Sequence, residues 1–396
     1  MSAVRKILLL TLGAFTLGLD AYVMAGLLPV IAADVGTRVS LAGQLVTVFT
    51  LAYAIAAPLV AGLLSGVRPR LLILAALAVF TLGNGLTALA PSLGLLLAAR
   101  AVAGAGAGVY SALSTAAAAA LVPAEKRGRA LALVMGGMSA GTVLGVPIGV
   151  LLAEHTGWRA TLWLVTALGA VALGGLAALL PPVPAEPAVP VRARLAAVAD
   201  RRVAPVVTVS FLAAVASLGL YTYLAPVLAA AGGVHEVAPY LWAWGAGGVL
   251  GSVLAGPLVD RTGRVRLLAG GVLLVVTAAQ ALLPTLAAVA LPGAVVALLA
   301  WGAAGWAFQV PQQHRLLQVS GQRGTVALAL NNSALYLGSA VGSALGGLAL
   351  AAGLSPAALP WAAAGVAALG LLVHLAAGRR SRPAPRVSTL GTYEHS

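Results

Sequence analysis

The chain has no cysteine among its 396 residues. Disulfides, thiol chemistry and cysteine-ligated metal are therefore excluded. Acid is nearly as scarce, with nine Asp and Glu against 23 Lys and Arg. All charged residues together make up 8%, where a water-soluble domain carries roughly 25%. So little charge cannot cover a soluble domain of this size. What is present instead is apolar: 61% hydrophobic residues and a mean hydropathy of +1.03. This composition describes a polytopic membrane protein.

Twelve apolar segments reach spanning length, at 7–33, 41–65, 70–90, 93–121, 129–153, 160–180, 203–230, 239–259, 266–286, 289–317, 325–351 and 357–377. Arg5-Lys6 before the first resembles the start of a signal peptide. The run is too long, carries Asp20 and lacks a small-residue cleavage site, so it reads as a retained first helix. With the N-terminus placed in the cytoplasm, 20 of the 23 Lys and Arg fall inside. Arg38 and Arg159 fall outside, and Arg100 lies within a span. This bias puts both termini in the cytoplasm. It also accounts for the net charge of +14 without nucleic acid.

The stretch 181–202 breaks the pattern with five prolines followed by a charged piece from Arg192 to Arg202. It divides the chain into two six-helix bundles, 1–180 and 203–378, and a basic tail covers 379–396. The halves echo each other. Lys126-Arg127-Gly128 opens the fifth segment and Gln322-Arg323-Gly324 the eleventh, 196 residues later. Gly62 and Gly256 stand 194 apart in the second and eighth. A near-constant offset marks a duplicated unit. The expected fold is all-α, with two pseudo-symmetric bundles around a central cavity.

Two charged residues fall at depth. Asp20 is the one acid inside a span, where a carboxylate costs on the order of 3 kcal/mol or more. Arg100 is the one base read as lying within a span. Their heights differ by about 5 Å at roughly 1.5 Å per residue. They are placed to pair, or to compete through water. Burial favours the neutral acid and a nearby guanidinium favours the carboxylate. A carboxyl moved between these settings can load and release a proton. The plainer alternatives are a neutral Asp20 bonded to a backbone carbonyl and an Arg100 that snorkels to the surface.

Several motifs carry a family resemblance. The loop after the eighth segment reads Gly256-Pro257-Leu258-Val259-Asp260-Arg261-Thr262-Gly263-Arg264. This G-x-x-x-D-R-x-G-R pattern resembles the cytoplasmic signature of the major facilitator superfamily. Its first-half counterpart has Gly66 where that family usually has Asp. Arg100 with Gly104, Gly106 and Gly108 looks like the proton-coupling motif of the drug:proton antiporter branch, nearest its sugar-efflux and chloramphenicol-efflux members. Gly137, Gly141, Gly145 and Gly149, with Pro147 between, look like the branch's antiporter motif, although Val146 interrupts its usual Gly-Pro pair. Asp20 through Pro29 looks like its helix 1 signature, with the acid one place early. The four-residue glycine spacing makes a bare helix face that admits a close neighbour. Gly247, Gly251 and Ala255 offer a matching stripe, and the resemblance implies that helices 5 and 8 meet across the halves.

Candidate cavity residues are Thr16 and Met24, which share the Asp20 face, and Ser111, on the Arg100 face. Met138, Tyr221, Tyr223, Phe308, Gln309, Asn331 and Asn332 complete the set. Each alone is better explained by helix packing than by ligand contact. The five histidines fall in different loops or ends and make no metal site. No phosphate-binding loop or nucleophile–base constellation occurs, so neither ATP coupling nor an enzyme is expected, and no cofactor.

The expected function is proton-coupled export of a small, moderately hydrophobic or neutral compound, such as a drug or sugar derivative, across a bacterial-type inner membrane. The expected partners are the substrate, protons and lipid, and the expected state is a monomer. A proton symporter or uniporter for a metabolite is the rival transport reading. A non-transporting sensor or scaffold is the rival of another class. The topology has a direct check. Single cysteines at Ala124 and Ser381 will resist an impermeant thiol reagent in intact cells, and one at Thr37 will react. Labelling at Ala124 from outside overturns the arrangement.

Overall fold

The computed structural model describes residues 3–64, 66–184, 200–234, 236–321 and 324–379. Most of the 181–202 linker, the Gln322-Arg323 pair, His235 and nearly all of the basic tail lie outside them. Among the described residues twelve helices are long and apolar enough to cross a membrane. They are Val4–Asp34, Val39–Val60, Pro69–Leu89, Leu93–Ala120, Arg127–Thr156 and Trp158–Leu179 (spans 1 to 6). Spans 7 to 12 are Val203–Thr222, Ala238–Thr262, Val265–Val289, Pro292–Ser320, Val326–Ala351 and Pro356–Ala377. Helices suit such sequence because each satisfies its own backbone hydrogen bonds in an apolar surrounding.

Three interruptions shape the interior. Span 7 was expected to run unbroken to 230, but its helix ends at Thr222 and a second, Leu224–Gly232, begins after Tyr223. Span 10 changes course at Phe308, between Leu291–Ala307 and Gln309–Ser320. Span 5 widens into a π-turn over Gly141–Gly145. Pro147 follows, without an N–H and with a ring that crowds the carbonyl four residues back. A wider turn accommodates that mismatch, and such turns recur where helices carry function.

The duplication is visible in how backbones touch. A Cβ on Gly141 would overlap the carbonyl oxygen of Phe15, so spans 1 and 5 pack backbone to backbone. In the second half a Cβ on Gly338 would lie 2.5 Å from the carbonyl oxygen of Phe211. Gly338 follows Gly141 by 197 residues and Phe211 follows Phe15 by 196. The same joint is built twice, between spans 1 and 5 and between spans 7 and 11.

This geometry corrects the expectation for the glycine stripe. Gly137, Gly141, Gly145 and Gly149 face Thr11, Phe15, Leu19 and Val23 of span 1, inside their own bundle. Gly247 and Gly251 likewise face Leu299 and Ala303 of span 10. Spans 5 and 8 do meet, but through the flank of span 5: Val143 stands against Gly245, and Val150 and Leu241 both stand against Gly26. Helical spacing reveals a bare face and leaves open which neighbour covers it.

The halves also meet along spans 2 and 11, and where span 1 touches span 7 and its continuation 224–232. Tyr22 on Tyr221, Leu241 against Gly26, Tyr223 against Gly43 and Gln44 against Gly347 join the halves from mid-depth toward the face opposite the start of span 1. An open apolar hollow of about 310 Å³ remains between spans 2, 7 and 11, bounded by Ala54, Phe211, Ser333 and Leu337 among others. The span 1–5 joint makes a testable demand. Gly141→Ala will push these helices apart and cost about 1–3 kcal/mol. Gly136→Ala, whose added carbon meets nothing within 4 Å, will be neutral. Thermal unfolding of the purified proteins in detergent checks both.

Candidate functional site

Spans 1, 3 and 4 close on one polar cluster. Asp20 and Arg100 are each 0% exposed, and Arg100 Nη1 donates to Asp20 Oδ1 at 2.6 Å. Two charges withdrawn from water repay desolvation only with good geometry and further hydrogen bonds. Asn84 of span 3 supplies these. Its Nδ2 donates to Asp20 Oδ2 at 3.3 Å and to the Phe80 carbonyl at 3.1 Å, and its Oδ1 accepts from Arg100 Nη1 at 3.3 Å. The Arg100 guanidinium lies 4.1 Å over the Phe49 ring of span 2. Its other edge, Nε and Nη2, is buried without a hydrogen-bond partner.

The surrounding backbones explain how the cluster assembles. Gly83, next to Asn84, has Ala103 N at 2.6 Å from an added Cβ, so spans 3 and 4 touch there. Gly104 lets the span 4 backbone meet Phe49 O. Thr142 of span 5 hydrogen-bonds the Gly18 carbonyl at 3.4 Å. Asn84 was missed in the sequence, yet it left a signal: it is the only Asn in the third apolar segment.

The second half repeats the layout without charge. Gln280 lies 196 residues after Asn84, and its Nε2 donates to the carbonyl of Ala216, 196 after Asp20, at 3.2 Å. Beside it Trp301 Nε1 donates to Ser217 Oγ at 2.6 Å.

An aromatic wall stands between the halves. Tyr22 of span 1 packs edge-on to Tyr221 at 5.6 Å, and Tyr221 lies 4.3 Å from Trp244, which also neighbours Trp301 and Trp306. Lower on the seam Tyr53 stacks on Tyr336 at 3.5 Å. The Tyr53 hydroxyl has Ser111, Tyr336 and Asn332 within electrostatic reach, without a partner at hydrogen-bonding geometry. The candidates Ser111, Asn332 and Tyr221 thus gather at the seam, and Asn332 is exposed.

Other candidates do not gather there. Thr16 and Met24 are fully buried, and the Thr16 hydroxyl is spent on the Gly13 carbonyl at 2.6 Å. Tyr223 is 0% exposed at the break in span 7, where its hydroxyl donates to Ser343 O at 2.7 Å and crowds Gly43 of the first half. Phe308 packs in the second bundle against Val209, Ala213 and Leu273. Asn331 is 2% exposed with its Oδ1 unpartnered, and Gln309 and Met138 are half-buried.

One histidine departs from expectation. His374 lies inside span 12, 2% exposed, rather than in a loop or end. Its Nδ1 faces Arg315 Nη1 at 2.9 Å, and its Nε2 faces the Arg266 carbonyl at 3.0 Å. Arg315 is itself 8% exposed, so Arg100 is not the sole buried base. The helical continuation past Phe308 carries Arg315 inward, which a hydropathy window cannot register.

The family model of the Major Facilitator Superfamily matches residues 10–342. The chain belongs to that superfamily. It is a multi-pass transporter. It is 32% identical over 378 residues to the Inner membrane transport protein YdhP of Escherichia coli K12, covering 94% of this chain and 96% of that one. It is 33% identical over 373 residues to a chloramphenicol resistance protein of Streptomyces lividans, covering 92% and 94%. The solved structure of a D-xylose–proton symporter shares the fold, with a TM-score of 0.75 at 21% identity over 94% of this chain and 97% of that chain.

The 256–264 loop, which resembles the superfamily signature, folds as a helix end. Span 8 stops at Thr262, and Gly263, at φ +58°, returns its N–H to the Val259 carbonyl. A left-handed turn of this kind favours glycine. Asp260, Arg261 and Arg264 are exposed there and Gly256 is half-buried, and among the described residues Asp260 makes no ion pair. In the first half, where Gly66 replaces the acid, Arg70 Nη2 instead holds the Ala177 carbonyl of span 6 at 2.8 Å.

The cluster makes a stability prediction. Arg100→Leu leaves the buried Asp20 without its base and will destabilise by about 3–5 kcal/mol. The double variant Asp20→Asn, Arg100→Leu removes both charges and will regain much of that loss. Thermal unfolding of the two variants decides it; a double variant no more stable than the single one removes the pair from this account.

Proposed function

We propose that this transporter exports a small neutral or moderately hydrophobic compound in exchange for protons. The observation that carries the reading is the fully buried Asp20–Arg100 pair beside an aromatic wall between the halves. Asp20 is under opposing demands. Burial favours its neutral form and Arg100 its charged form. A change in water access alters that balance and moves a proton.

The cycle follows from this. Both termini and the 181–202 linker lie in the cytoplasm, in an inner membrane, and the bundles 1–180 and 203–378 rock about the seam. The arrangement described here is tied toward the far face, so the compound enters from the cytoplasm while Asp20 is charged and paired. After rocking, Asp20 takes a proton from outside and the compound leaves. Asp20 then returns its proton to the cytoplasm and pairs with Arg100 again.

The aromatic rings suit a compound with a flat or apolar face. Tyr53, Ser111 and Asn332 supply a few hydrogen-bonding groups. The one acid of the cluster is matched by its own base, which leaves no spare charge there for a charged compound. Identity to a chloramphenicol resistance protein agrees with a neutral aromatic substrate. Gly256, Asp260, Arg261, Gly263 and Arg264 form the loop that reverses between spans 8 and 9 as the halves rock.

The test uses inverted vesicles with an imposed pH gradient and labelled chloramphenicol as first probe, beside a growth screen of diverse toxic compounds in an efflux-deficient host. Asp20→Asn will abolish uphill accumulation while leaving the protein folded. Asp20→Glu will retain part of the activity with a changed pH optimum. An Asp20→Asn protein that still accumulates a transported compound against its gradient sinks proton coupling through this residue.

A further inference from the structure

We propose that Asn84 is a positioning residue that holds Asp20 in its charged, Arg100-paired form, and so sets the pH at which the carboxyl takes up a proton. The proposal rests on the proton-coupling reading of Asp20. It begins from which way the Asn84 amide must face. A guanidinium has donors only. With Arg100 Nη1 3.3 Å from one end of the amide, that end must be the oxygen. The NH₂ end is then forced toward Asp20 Oδ2, at 3.3 Å, and the Phe80 carbonyl, at 3.1 Å. The amide cannot turn over while the ion pair stands. It therefore donates to Asp20, and a donor to a carboxylate favours the charged form.

The same geometry locates the incoming proton. Asp20 Oδ1 is occupied by Arg100 at 2.6 Å. Oδ2 carries only the longer Asn84 contact, at 3.3 Å, and is the less engaged oxygen. A proton on Oδ2 makes that oxygen a poorer acceptor and weakens the Asn84 hydrogen bond. The amide is free to swing its oxygen toward the new O–H only once Arg100 has let go. Until then Asn84 keeps its donor on the carboxylate and opposes the proton.

The chain contains its own comparison. Gln280 occupies the matching place in the second half, donates to the Ala216 carbonyl at 3.2 Å, and leaves its Oε1 without a partner. The packing of spans 3 and 1, or 9 and 7, thus asks only for a donor. Both ends of the amide are engaged only where an acid and a base flank it.

The elements packed against span 1 bring no second charge to Asp20. Among the described residues span 2 brings the Phe49 ring, which lies against Arg100. Span 5 brings the Thr142 hydroxyl to Gly18 O, and span 6 the Thr161 hydroxyl to Gly149 O. Span 7 brings Tyr221, packed on Tyr22 of span 1 itself. On span 4 the Tyr110 hydroxyl is spent on Leu10 O. Among the described residues Arg100 is the one charged group facing the carboxyl.

The experiment needs no substrate. The carbonyl stretch of a protonated carboxyl is followed by infrared difference spectroscopy on the purified full chain as pH is changed. The Asp20 band is the one lost in Asp20→Asn. In Asn84→Leu it will appear at a pH about one unit higher than in wild type, the shift expected from losing one hydrogen bond to a charged group. Asn84→Gln will restore most of the wild-type midpoint, and Gln280→Leu will leave it unmoved. If Asn84→Leu does not fold, Asn84→Ala carries the same comparison. A wild-type midpoint in Asn84→Leu or its substitute overturns the proposal, as does an Asp20 band that never titrates in wild type. The transport reading is judged separately, by the vesicle accumulation of Asp20→Asn.

Discussion

One ion pair in an apolar interior constrains what surrounds it. Asp20 and Arg100 sit at bilayer depth with no exposure, where each charge alone costs several kcal/mol. The pair is tolerable only if its geometry is close and its spare lone pairs are used. That requirement explains why spans 1, 3 and 4 converge there. It also explains why the backbones at Gly83, Gly104 and Gly18 approach their neighbours so tightly. Side chains at those positions would hold the helices apart, and the charges would lose their partners.

The protein itself engages one edge of the guanidinium. Among the described residues Nε and Nη2 of Arg100 meet no backbone or side-chain acceptor, and the Phe49 ring lies across the guanidinium face at 4.1 Å.

The duplicated architecture shows which features belong to the fold and which to function. Gly141 on Phe15 and Gly338 on Phe211 are the same joint. Asn84 toward Asp20 and Gln280 toward Ala216 are the same reach from span 3 or span 9. The acid and the base occur in one half only. The second half keeps the polar positions as an amide, a hydroxyl and an indole. Whatever the charged cluster does is thus not needed to fold a bundle. In this reading the first half handles the proton while the second supplies much of the aromatic surface, in Tyr221, Trp244, Trp301 and Trp306.

The linear chain by itself settled the class and the twelve spans, and it placed Asp20 and Arg100 at depth, but it left the buried Arg315 and His374 among the loops and ends. These follow from hydropathy and from the rarity of charge, both of which are local properties. The 20-to-2 bias of Lys and Arg likewise needed no coordinates to be read. Tertiary structure decided who meets whom. Spacing of four glycines announced a close helix contact, but only packing chose span 1 over span 8. Tyr223 and Thr16 looked like cavity groups because they are polar and share helix faces with others, yet their hydroxyls are consumed by nearby carbonyls. Asn84, 64 residues from Asp20 and 16 from Arg100, joins them only after three helices associate. Hydrogen bonds between distant segments have no period along a chain, so the partners of a buried charge are written in the packing of helices and not in the order of residues.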